Sequence, residues 1–522
     1  MYQEMMERDL EPADKQMLYN YYAKYLMFDR RVKQRSIQYH MKAAEMPYQS
    51  FFQQNSINAL QRISGRGTTR ICREIREFLE QLPRLDSFAA QSQSKLESLE
   101  CHFTWNLDTS RSKLFRLRDD LVDIGTEKGN IWLGHIYNLQ GFIHYKLGFI
   151  EEARDFFSRA TETFHQLGDA DEGPWLVVNY GNLAWLHQHL GEDSQSQGYL
   201  SKLDTLIETH PPPIQDELHP EVCAEKAWTL MTFYKDKKLQ AADYFQRAVR
   251  MKPEMVSWQT SRVLALVGDY KHSDTDQDVG MLEEMRMARE EDPDNLYLAA
   301  VDLLLRAKRG EQIKDEADEL EEKILINPVS SYSGIRILIR VYKQLDCYDE
   351  AIDLAEKALK KHPDERYLKR CAALSYTLKI SFYKESCPSE SMISRAISLH
   401  EEVVSLYPHS SLMKEVDLAY MYAKSGHGLM KAEQMYQEMM ERDLDPADKQ
   451  MLYNYYAKYL NFDRREGQKS IEYHMKAAEI PYQSFFRQNS INSLKKIRDK
   501  GRSRMCREIQ EFLENLPDSE SV

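Results

Sequence analysis

The clearest group of side chains with a chemistry of their own is a basic segment near the C-terminus of this 522-residue chain. Residues 487–507, RQNSINSLKKIRDKGRSRMCR, contain eight lysines or arginines and one aspartate. Lysine and arginine neutralise phosphates, and each such contact releases counterions from a nucleic acid. The spacing of Lys496, Lys500 and Arg504 predicts one charged helical face that holds an RNA strand without reading its bases. A solvated outer face of a terminal helix is the other interpretation.

Catalytic chemistry is not indicated anywhere in the sequence. It contains no phosphate-binding loop, no HExxH zinc motif and no GxSxG nucleophile motif. His187 and His189 are two positions apart and would point to different faces of a helix, so they do not make a metal pair. Acidic pairs such as Glu321 and Glu322 lie in charged helical stretches. We therefore expect a binding protein with no catalytic residues, no metal ion and no cofactor.

Charge and cysteine content restrict the class of protein further. The formal net charge is −13 at pH 7, so no overall positive field attracts nucleic acid, although a local basic groove is compatible with this average. The seven cysteines are scattered, without a Cys-x-x-Cys pair, which predicts reduced thiols and a cytosolic protein. The start of the chain is too charged for a signal peptide, and no apolar run has the length of a membrane span. We expect no membrane contact.

Regularly spaced prolines predict the elements that position these side chains. Prolines recur at 253, 293, 328, 363, 408, 446, 481 and 517, which are 35 to 45 residues apart. Proline cannot continue a helix, so each one marks the end of a repeated helical pair. This pattern is typical of the tetratricopeptide repeat, which has about 34 residues. It predicts an all-α fold, a right-handed tetratricopeptide-repeat superhelix (α-solenoid) with a central groove. Close helix–helix packing is predicted at Tyr137, Gly141, Ala153, Phe157 and Ala160.

The beginning of the chain repeats its end. Residues 1–83 match residues 435–517 without a gap, with 64 identities in 83 positions. We therefore predict a partial copy of the C-terminal repeats at 1–83, a polar linker at 84–95 and the repeat superhelix at 96–522. A tandem fusion and an error in the gene model would both produce such a copy.

The copy starts inside a helix, at MYQEMMERDL, and lacks the partner helix that residues 411–428 supply to the second copy. Burial of one large apolar side chain contributes ~1.5–3 kcal/mol. Residues 1–83 could therefore dock on the 411–428 region of a second chain, in a contact like a domain swap. The alternative is an appendage without a role, attached by a flexible linker.

Several stretches give the chain a resemblance to a known family. LECHFTWNL, at 99–107, opens the repeat array, and NSINSLKKIR, at 489–498, stands near the end. Between them are NYGNLAWLHQHLGE, at 179–192, and the tryptophan of EKAWTLM. From residue 96 to the C-terminus the chain resembles the interferon-induced proteins with tetratricopeptide repeats.

The resemblance implies a cytosolic, interferon-inducible antiviral effector that is not an enzyme. Several members of the family hold the 5′ end of foreign RNA, triphosphorylated or incompletely capped, in a basic pocket inside the superhelix. Others act mainly as protein scaffolds in oligomers with paralogues. Both functions remain alternatives for this chain, and both allow homo- or hetero-oligomers.

Some positions that contact RNA in the family are kept in this sequence. The resemblance implies that Trp228 stacks on a base, although a tryptophan between helices is at least as often a packing residue. It also implies an RNA contact for Arg336, with Arg340 one turn further along. Arg370 stands beside Cys371, which replaces a glutamine of the family.

Other positions are changed. The family's phosphate-binding lysine is Thr232 here, and a second arginine is Gly268. An arginine–glutamine pair of an early helix falls near Asp119 and Asp123, both of which are acidic. Charge-assisted bonds are about twice as strong as neutral ones, so these changes predict a weakened 5′-end pocket. The candidates that could compensate are Lys235, Lys237, Lys238 and Arg262.

Overall fold

The computed structural model of the chain describes residues 12–28, 33–45, 51–65, 70–81, 93–125, 130–167, 172–234, 236–269, 276–382, 388–501 and 503–516. The secondary structure of these residues is helical, and no β-strand occurs among them. The predicted all-α fold is therefore confirmed. No helix within the described ranges is long and apolar enough to cross a membrane.

The chain divides into two compact units, and the first comprises residues 1–107 and 131–254. Successive helices pack against each other in pairs, as expected for a helical repeat. The helices of this unit are α1 (Pro12–Phe28), α2 (Lys33–Glu45), α3 (Phe51–Ser64), α4 (Arg70–Gln81), α6 (Leu133–Leu147), α7 (Ile150–Leu167), α8 (Val177–His189), α9 (Asp193–Thr209), α10 (Pro220–Phe233) and α11 (Lys238–Met251), with a 3-10 turn at Pro174–Leu176.

The second unit comprises residues 108–130 and 255–522. It includes one early helix, α5 (Arg111–Ile124), which is separated from the rest of the unit by most of the first unit's sequence. The other helices are α12 (Val256–Asp269), α13 (Asp276–Glu291), α14 (Leu296–Lys308), α15 (Lys314–Ile326), α16 (Ile335–Gln344), α17 (Tyr348–Lys361), α18 (Arg366–Phe382), α19 (Glu390–Leu406), α20 (Leu412–Lys424), α21 (Leu429–Met440), α22 (Pro446–Phe462), α23 (Gly467–Glu479), α24 (Phe485–Lys500) and α25 (Cys506–Glu514).

The pair α6 and α7 shows how the repeat motif produces close packing. Helix α6 ends at Gly148, whose left-handed backbone (φ +90°) lets its N–H bond to the last carbonyls before α7 begins. A Cβ at Gly141 would lie 2.7 Å from the Phe157 ring, so only glycine allows this approach. Ala153 and Ala160 are fully buried and Tyr137 is nearly so. The predicted packing positions are confirmed.

The two copies of the repeated sequence form the same polar network in their described parts. In the first copy, Asn20 donates to Ser56 at 2.7 Å, and His40 lies 3.1 Å from the same hydroxyl. In the second copy, Asn454 donates to Ser490 at 2.7 Å, and His474 lies 3.1 Å from it. Identical polar residues thus give identical contacts.

The domain boundaries at residues 83 and 95 remain a prediction. The stretch MYQEMMERDL and the linker residues 84–92 lie outside the described residues.

Candidate anion-binding site

In the second unit, aspartates of one helix form ion pairs with arginines of another. Helix α5 carries Asp120 and Asp123, and helix α18 carries Arg366 and Arg370. The carboxylate of Asp123 lies 2.8 Å from Arg366 and 3.1 Å from Arg370, and Asp120 lies 2.8 Å from Arg370. The Asp123 side chain is 1% exposed, and its burial raises the pKa of its carboxyl in spite of the opposing charges of Arg366 and Arg370. Arg370, a predicted RNA contact, is therefore already neutralised within the chain.

Two further side chains fix α5 in this position. Tyr407 donates its hydroxyl to Asp123 at 2.9 Å, and Ser410 donates to Asp119 at 2.6 Å. At the start of α5, Arg116 donates to Asp448 at 2.7 Å. Asp119 and Asp123 thus hold α5 in place, at positions where the family resemblance implied an arginine and a glutamine.

Helix α16 supplies cations that are not neutralised in this way. Arg336 is half-buried and Arg340 is exposed, and neither makes an ion pair or hydrogen bond within the described part of the chain. Arg340 nevertheless lies among enough protein atoms for burial, with help from Arg336, to lower its pKa. Both arginines also act on the phenol of Tyr297, whose pKa burial raises.

Helix α20 carries an acidic residue that we did not anticipate and that feels the positive charge of Arg336. Asp417 is half-buried and makes no hydrogen bond or ion pair with any described residue. Burial raises its pKa to about 7, against the electrostatic effects of Lys414, Arg336 and Arg370. Lys414, one turn earlier, donates to the carbonyl and hydroxyl of Ser410 at 2.9 Å, and burial lowers its pKa to about 8. The sequence could have indicated this residue, because Asp417 stands between Val416 and Leu418, which are both apolar and buried.

The structure places Trp228, on α10 of the first unit, in a helix interface. Its ring is 1% exposed and lies nearly parallel to that of Trp132, with 6.0 Å between the centroids. The indole N–H has no hydrogen-bond partner among the described residues. As placed, the ring offers no surface to a base, which favours the packing interpretation.

The basic C-terminal segment differs in part from its prediction. Lys496 and Lys500 are exposed on the last turns of α24, as expected. The helix ends there, because Gly501 adopts a left-handed backbone conformation (φ +63°), so the exposed Arg504 lies beyond the helix and outside the predicted face. Arg487 is 6% exposed and donates to the carbonyl of Ala478 at 2.9 Å, which makes it a structural residue.

The cations that could replace the lost RNA contacts are only partly available to a ligand. Arg262 forms an ion pair with Glu284 at 2.9 Å, and Lys237 lies over the ring of Tyr234. Lys238 begins helix α11, and Lys235 lies outside the described residues. At the positions of lost contacts, Thr232 is half-buried, Gly268 is exposed and Cys371 is 1% exposed. No cation therefore replaces the lost ones at Thr232 or Gly268 themselves.

The described residues show no alternative chemistry of the metal or thiol type. No group of three histidine, cysteine or acidic side chains among them could hold a metal ion. Among the described cysteines, Cys101, Cys223, Cys347, Cys371 and Cys506 are thiols that form no disulfide bond. Burial raises the pKa of the Cys101 thiol to about 12 and that of Cys371 to about 11, so neither is a reactive thiolate.

The repeated helical pairs and their packing define a tetratricopeptide-repeat solenoid. Among solved structures, a monomeric mutant of IFIT1 with Gppp-AAAA superposes with a TM-score of 0.60 and 25% identity, covering 81% of this chain and 95% of that one. The human IFIT1 dimer with PPP-AAAA superposes with a TM-score of 0.57 and 25% identity, covering 81% and 94%.

The sequence comparison gives the same relationship. The human "Antiviral innate immune response effector IFIT1" is 25% identical over 421 residues, which are 78% of this chain and 87% of the relative. The mouse "Interferon-induced protein with tetratricopeptide repeats 2" is 24% identical over 74% of this chain and 82% of the relative. No protein-family model matches the chain. The chain is a homologue of the interferon-induced proteins with tetratricopeptide repeats.

Proposed function

We propose that this chain is an interferon-inducible antiviral effector of the cytosol, which binds foreign RNA through the 5′ end. The observation that carries the proposal is the pair Arg336 and Arg340, two cations one turn apart on α16 without an ion pair in the described residues. Homologous structures hold PPP-AAAA and Gppp-AAAA. A 5′ triphosphate is the ligand whose dense negative charge such a pair of cations favours.

The chemistry required of these residues is charge neutralisation without catalysis. Each guanidinium can donate two parallel hydrogen bonds to one phosphate. Because Arg336 is half-buried, its bonds to a phosphate stabilise the complex more than they would on an exposed surface. Arg336 and Arg340 are one helical turn apart, so they can bind neighbouring phosphates of one 5′ end.

A protein scaffold without 5′-triphosphate binding is the second candidate function. It is favoured by the neutralisation of Arg366 and Arg370 by Asp120 and Asp123, and by the burial of Trp228. Under this alternative the partners are paralogues or other proteins. The human IFIT1 dimer shows that a homologue assembles with itself.

The deciding experiment compares 5′-triphosphate RNA with 5′-hydroxyl RNA of the same sequence, at several salt concentrations. We expect tighter binding of the triphosphate, and a loss of roughly tenfold or more in that preference in Arg336→Ala, because a hydrogen bond to a charged group contributes ~1.5–3 kcal/mol. Arg309→Ala is the matched control, since Arg309 is an exposed arginine at the end of α14. Equal affinity for both RNAs would reject the 5′-end function and leave the scaffold.

The basic face of α24 makes a separate contribution in this proposal. Lys496 and Lys500 are exposed one turn apart and would hold the RNA strand by its phosphates. Replacing both by alanine should weaken binding of both RNAs equally and lower the slope of log affinity against log salt by about 1 to 2. A loss confined to the triphosphate RNA would contradict this role.

A further inference from the structure

Aromatic rings from two helices of the second unit meet where α24 begins. The ring centroids of Tyr455, on α22, and Phe486, on α24, lie 5.7 Å apart, and the Phe485 ring lies 5.5 Å from that of Phe486. Phe485 is 70% exposed, whereas Tyr455 and Phe486 are half-buried. We call these three residues the aromatic platform. A contiguous group of partly exposed rings, unlike a single one, is typical of a binding surface.

Hydrogen bonds hold the aromatic platform in place without using its rings. Asn454, next to Tyr455 on α22, donates to the hydroxyl of Ser490 on α24 at 2.7 Å. The hydroxyl of Ser484 caps α24 by accepting a hydrogen bond from the backbone N–H of Phe486 at 3.0 Å. The rings are therefore positioned before a ligand arrives, which lowers the entropy that binding costs.

A cation without an acidic partner lies beside the platform. Lys458 follows Tyr455 on α22 and places its Nζ 5.0 Å from the centroid of the Tyr455 ring. It makes no ion pair or hydrogen bond with any residue that the structure describes, and burial lowers its pKa. The phenol of Tyr455 stays neutral, because burial and the charge of Asp417 raise its pKa to about 12. A neutral ring beside an unpaired cation suits a ligand that combines flat bases with phosphates.

The platform also lies on the same helix as the exposed lysines of the basic segment. Lys496 follows Phe485 by eleven residues, which is about three helical turns, so both lie on one side of α24 about 16 Å apart. A strand of a few nucleotides covers this distance. An exposed aromatic surface alone would also suit a protein partner, but the unpaired Lys458 and the lysines of α24 favour a polyanion.

The first copy of the repeated sequence forms the same pair of cation and ring. There the Nζ of Lys24 lies 5.7 Å from the centroid of the Tyr21 ring, and burial lowers the pKa of Lys24. Phe51 begins α3, as Phe485 begins α24. The pair is therefore specified by the repeated sequence itself and does not depend on the helices that precede it.

We propose that the aromatic platform and Lys458 form a subsite for single-stranded RNA, in which unpaired bases stack on the rings and a backbone phosphate contacts the lysine. Every base has a flat aromatic face, so the subsite does not select a sequence. The inference rests on the proposed function in that RNA is the ligand, but it requires neither a 5′ triphosphate nor Arg336.

The experiment measures binding of 5′-hydroxyl oligoadenylate to the full-length chain by fluorescence anisotropy, and compares it with binding of an abasic strand of the same length. We expect the wild type to bind the base-bearing strand more tightly. Phe485→Ala should weaken that binding by roughly fivefold or more and leave the abasic strand unaffected, because stacking requires a base. The matched control is Phe462→Ala, at the end of α22, which removes a phenylalanine of the same exposure (72%) and should change neither affinity.

Variants of the two α22 residues separate stacking from packing and from charge. Tyr455→Phe keeps the ring and should bind like the wild type, whereas Tyr455→Leu keeps apolar bulk and should reduce the preference for bases. Lys458→Gln should weaken binding of both strands equally and lower the slope of log affinity against log salt by about 1.

The outcomes distinguish this inference from the proposed function. The inference is overturned if the wild type binds both strands equally, or if Phe485→Ala and Phe462→Ala have the same effect, which would leave the rings to a protein partner. A subsite that depends on bases, in a chain without preference for 5′-triphosphate RNA, would retain the inference and reject 5′-end recognition. A triphosphate preference combined with an unchanged affinity in Phe485→Ala would reject the inference alone.

Discussion

Tyr407 donates its hydroxyl proton to the carboxylate of Asp123, which precedes it by 284 residues, and lies 2.9 Å from both oxygens. The same carboxylate accepts ion pairs from Arg366 and Arg370. One side chain of α5 thus organises three residues of the second unit. Removing it leaves two largely buried guanidinium groups without their counter-charge.

We therefore expect Asp123→Ala to destabilise the second unit by about 3 kcal/mol, because breaking a buried pair costs more than the pair contributes. Thermal melting should show a transition lowered by several degrees. The matched control is Asp120→Ala, whose side chain is 54% exposed and should cost less than about 1 kcal/mol. Equal effects of the two variants would contradict the central role of Asp123.

Two glycines in helices of the first unit make a matched pair. A Cβ at Gly141 of α6 would lie 2.7 Å from the Phe157 ring, whereas a Cβ at Gly198 of α9 would have no neighbour within 4 Å. Alanine favours a helix over glycine by about 1 kcal/mol. Gly198→Ala should therefore stabilise the fold by ~0.5–1 kcal/mol, whereas in Gly141→Ala overpacking should cost ~1–3 kcal/mol. If both variants shifted the melting temperature in the same direction, the added Cβ at Gly141 would be accommodated. Helices α6 and α7 could then move apart.

The buried Glu225 should make stability depend on pH. It is 1% exposed, accepts a hydrogen bond from Asn138 at 2.9 Å, and burial raises its pKa to about 8. The ordinary pKa of an unfolded glutamate is ~4.3, so the folded state binds the proton more tightly. Its stabilisation is complete below about pH 4.3 and is lost as the pH rises to about 8.

Glu225→Gln keeps the hydrogen bond and removes the titration. The melting temperature of the wild type should fall relative to that of this variant between pH 5 and 8.5. The difference in their free energies of unfolding should change by at most about 1.4 kcal/mol per pH unit. Glu254→Gln, at an exposed position of the same unit, is the control. A difference that does not change with pH would mean that Glu225 ionises normally.

Deletion of residues 1–83 tests the role of the N-terminal copy. Its described helices share an apolar core of their own, formed by Ile37, Ala44, Ile57, Leu60 and Ile75. A segment with its own core does not need a second chain for burial, so we expect the oligomeric state to be unchanged in analytical ultracentrifugation. Loss of a dimer on deletion would instead support the domain-swap-like docking on 411–428.

Local patterns predicted the repeats well because each helical pair is stabilised by neighbours in sequence. Proline spacing located the pairs, and small residues such as Gly141, Ala153 and Ala160 located the contacts between them. The end of α24 was predictable in principle too. Gly501 follows Lys500 directly and is a common stop signal for a helix, which excludes Arg504 from the face.

The candidate site was less predictable because its charges are set by distant residues. Nothing near Asp123 in the sequence indicates Tyr407 or Arg366, and the partners of Arg370 decide whether it is free. Residue type was also ambiguous at Trp228, since a core tryptophan and a base-stacking tryptophan look the same in a sequence. The burial of its ring in the structure favours the core interpretation.

The passage of the chain through α5 has a consequence for biosynthesis. The chain leaves the first unit at residue 107, contributes 108–130 to the second unit, and returns to the first until residue 254. At ~5–20 residues per second, Asp123 emerges from the ribosome roughly 15 to 60 s before Tyr407. During that interval the first unit can fold, while α5 has no native partner. A nascent chain paused before residue 407 should therefore expose α5 to proteases or chaperones, and residues 255–522 expressed alone should not acquire the native stability.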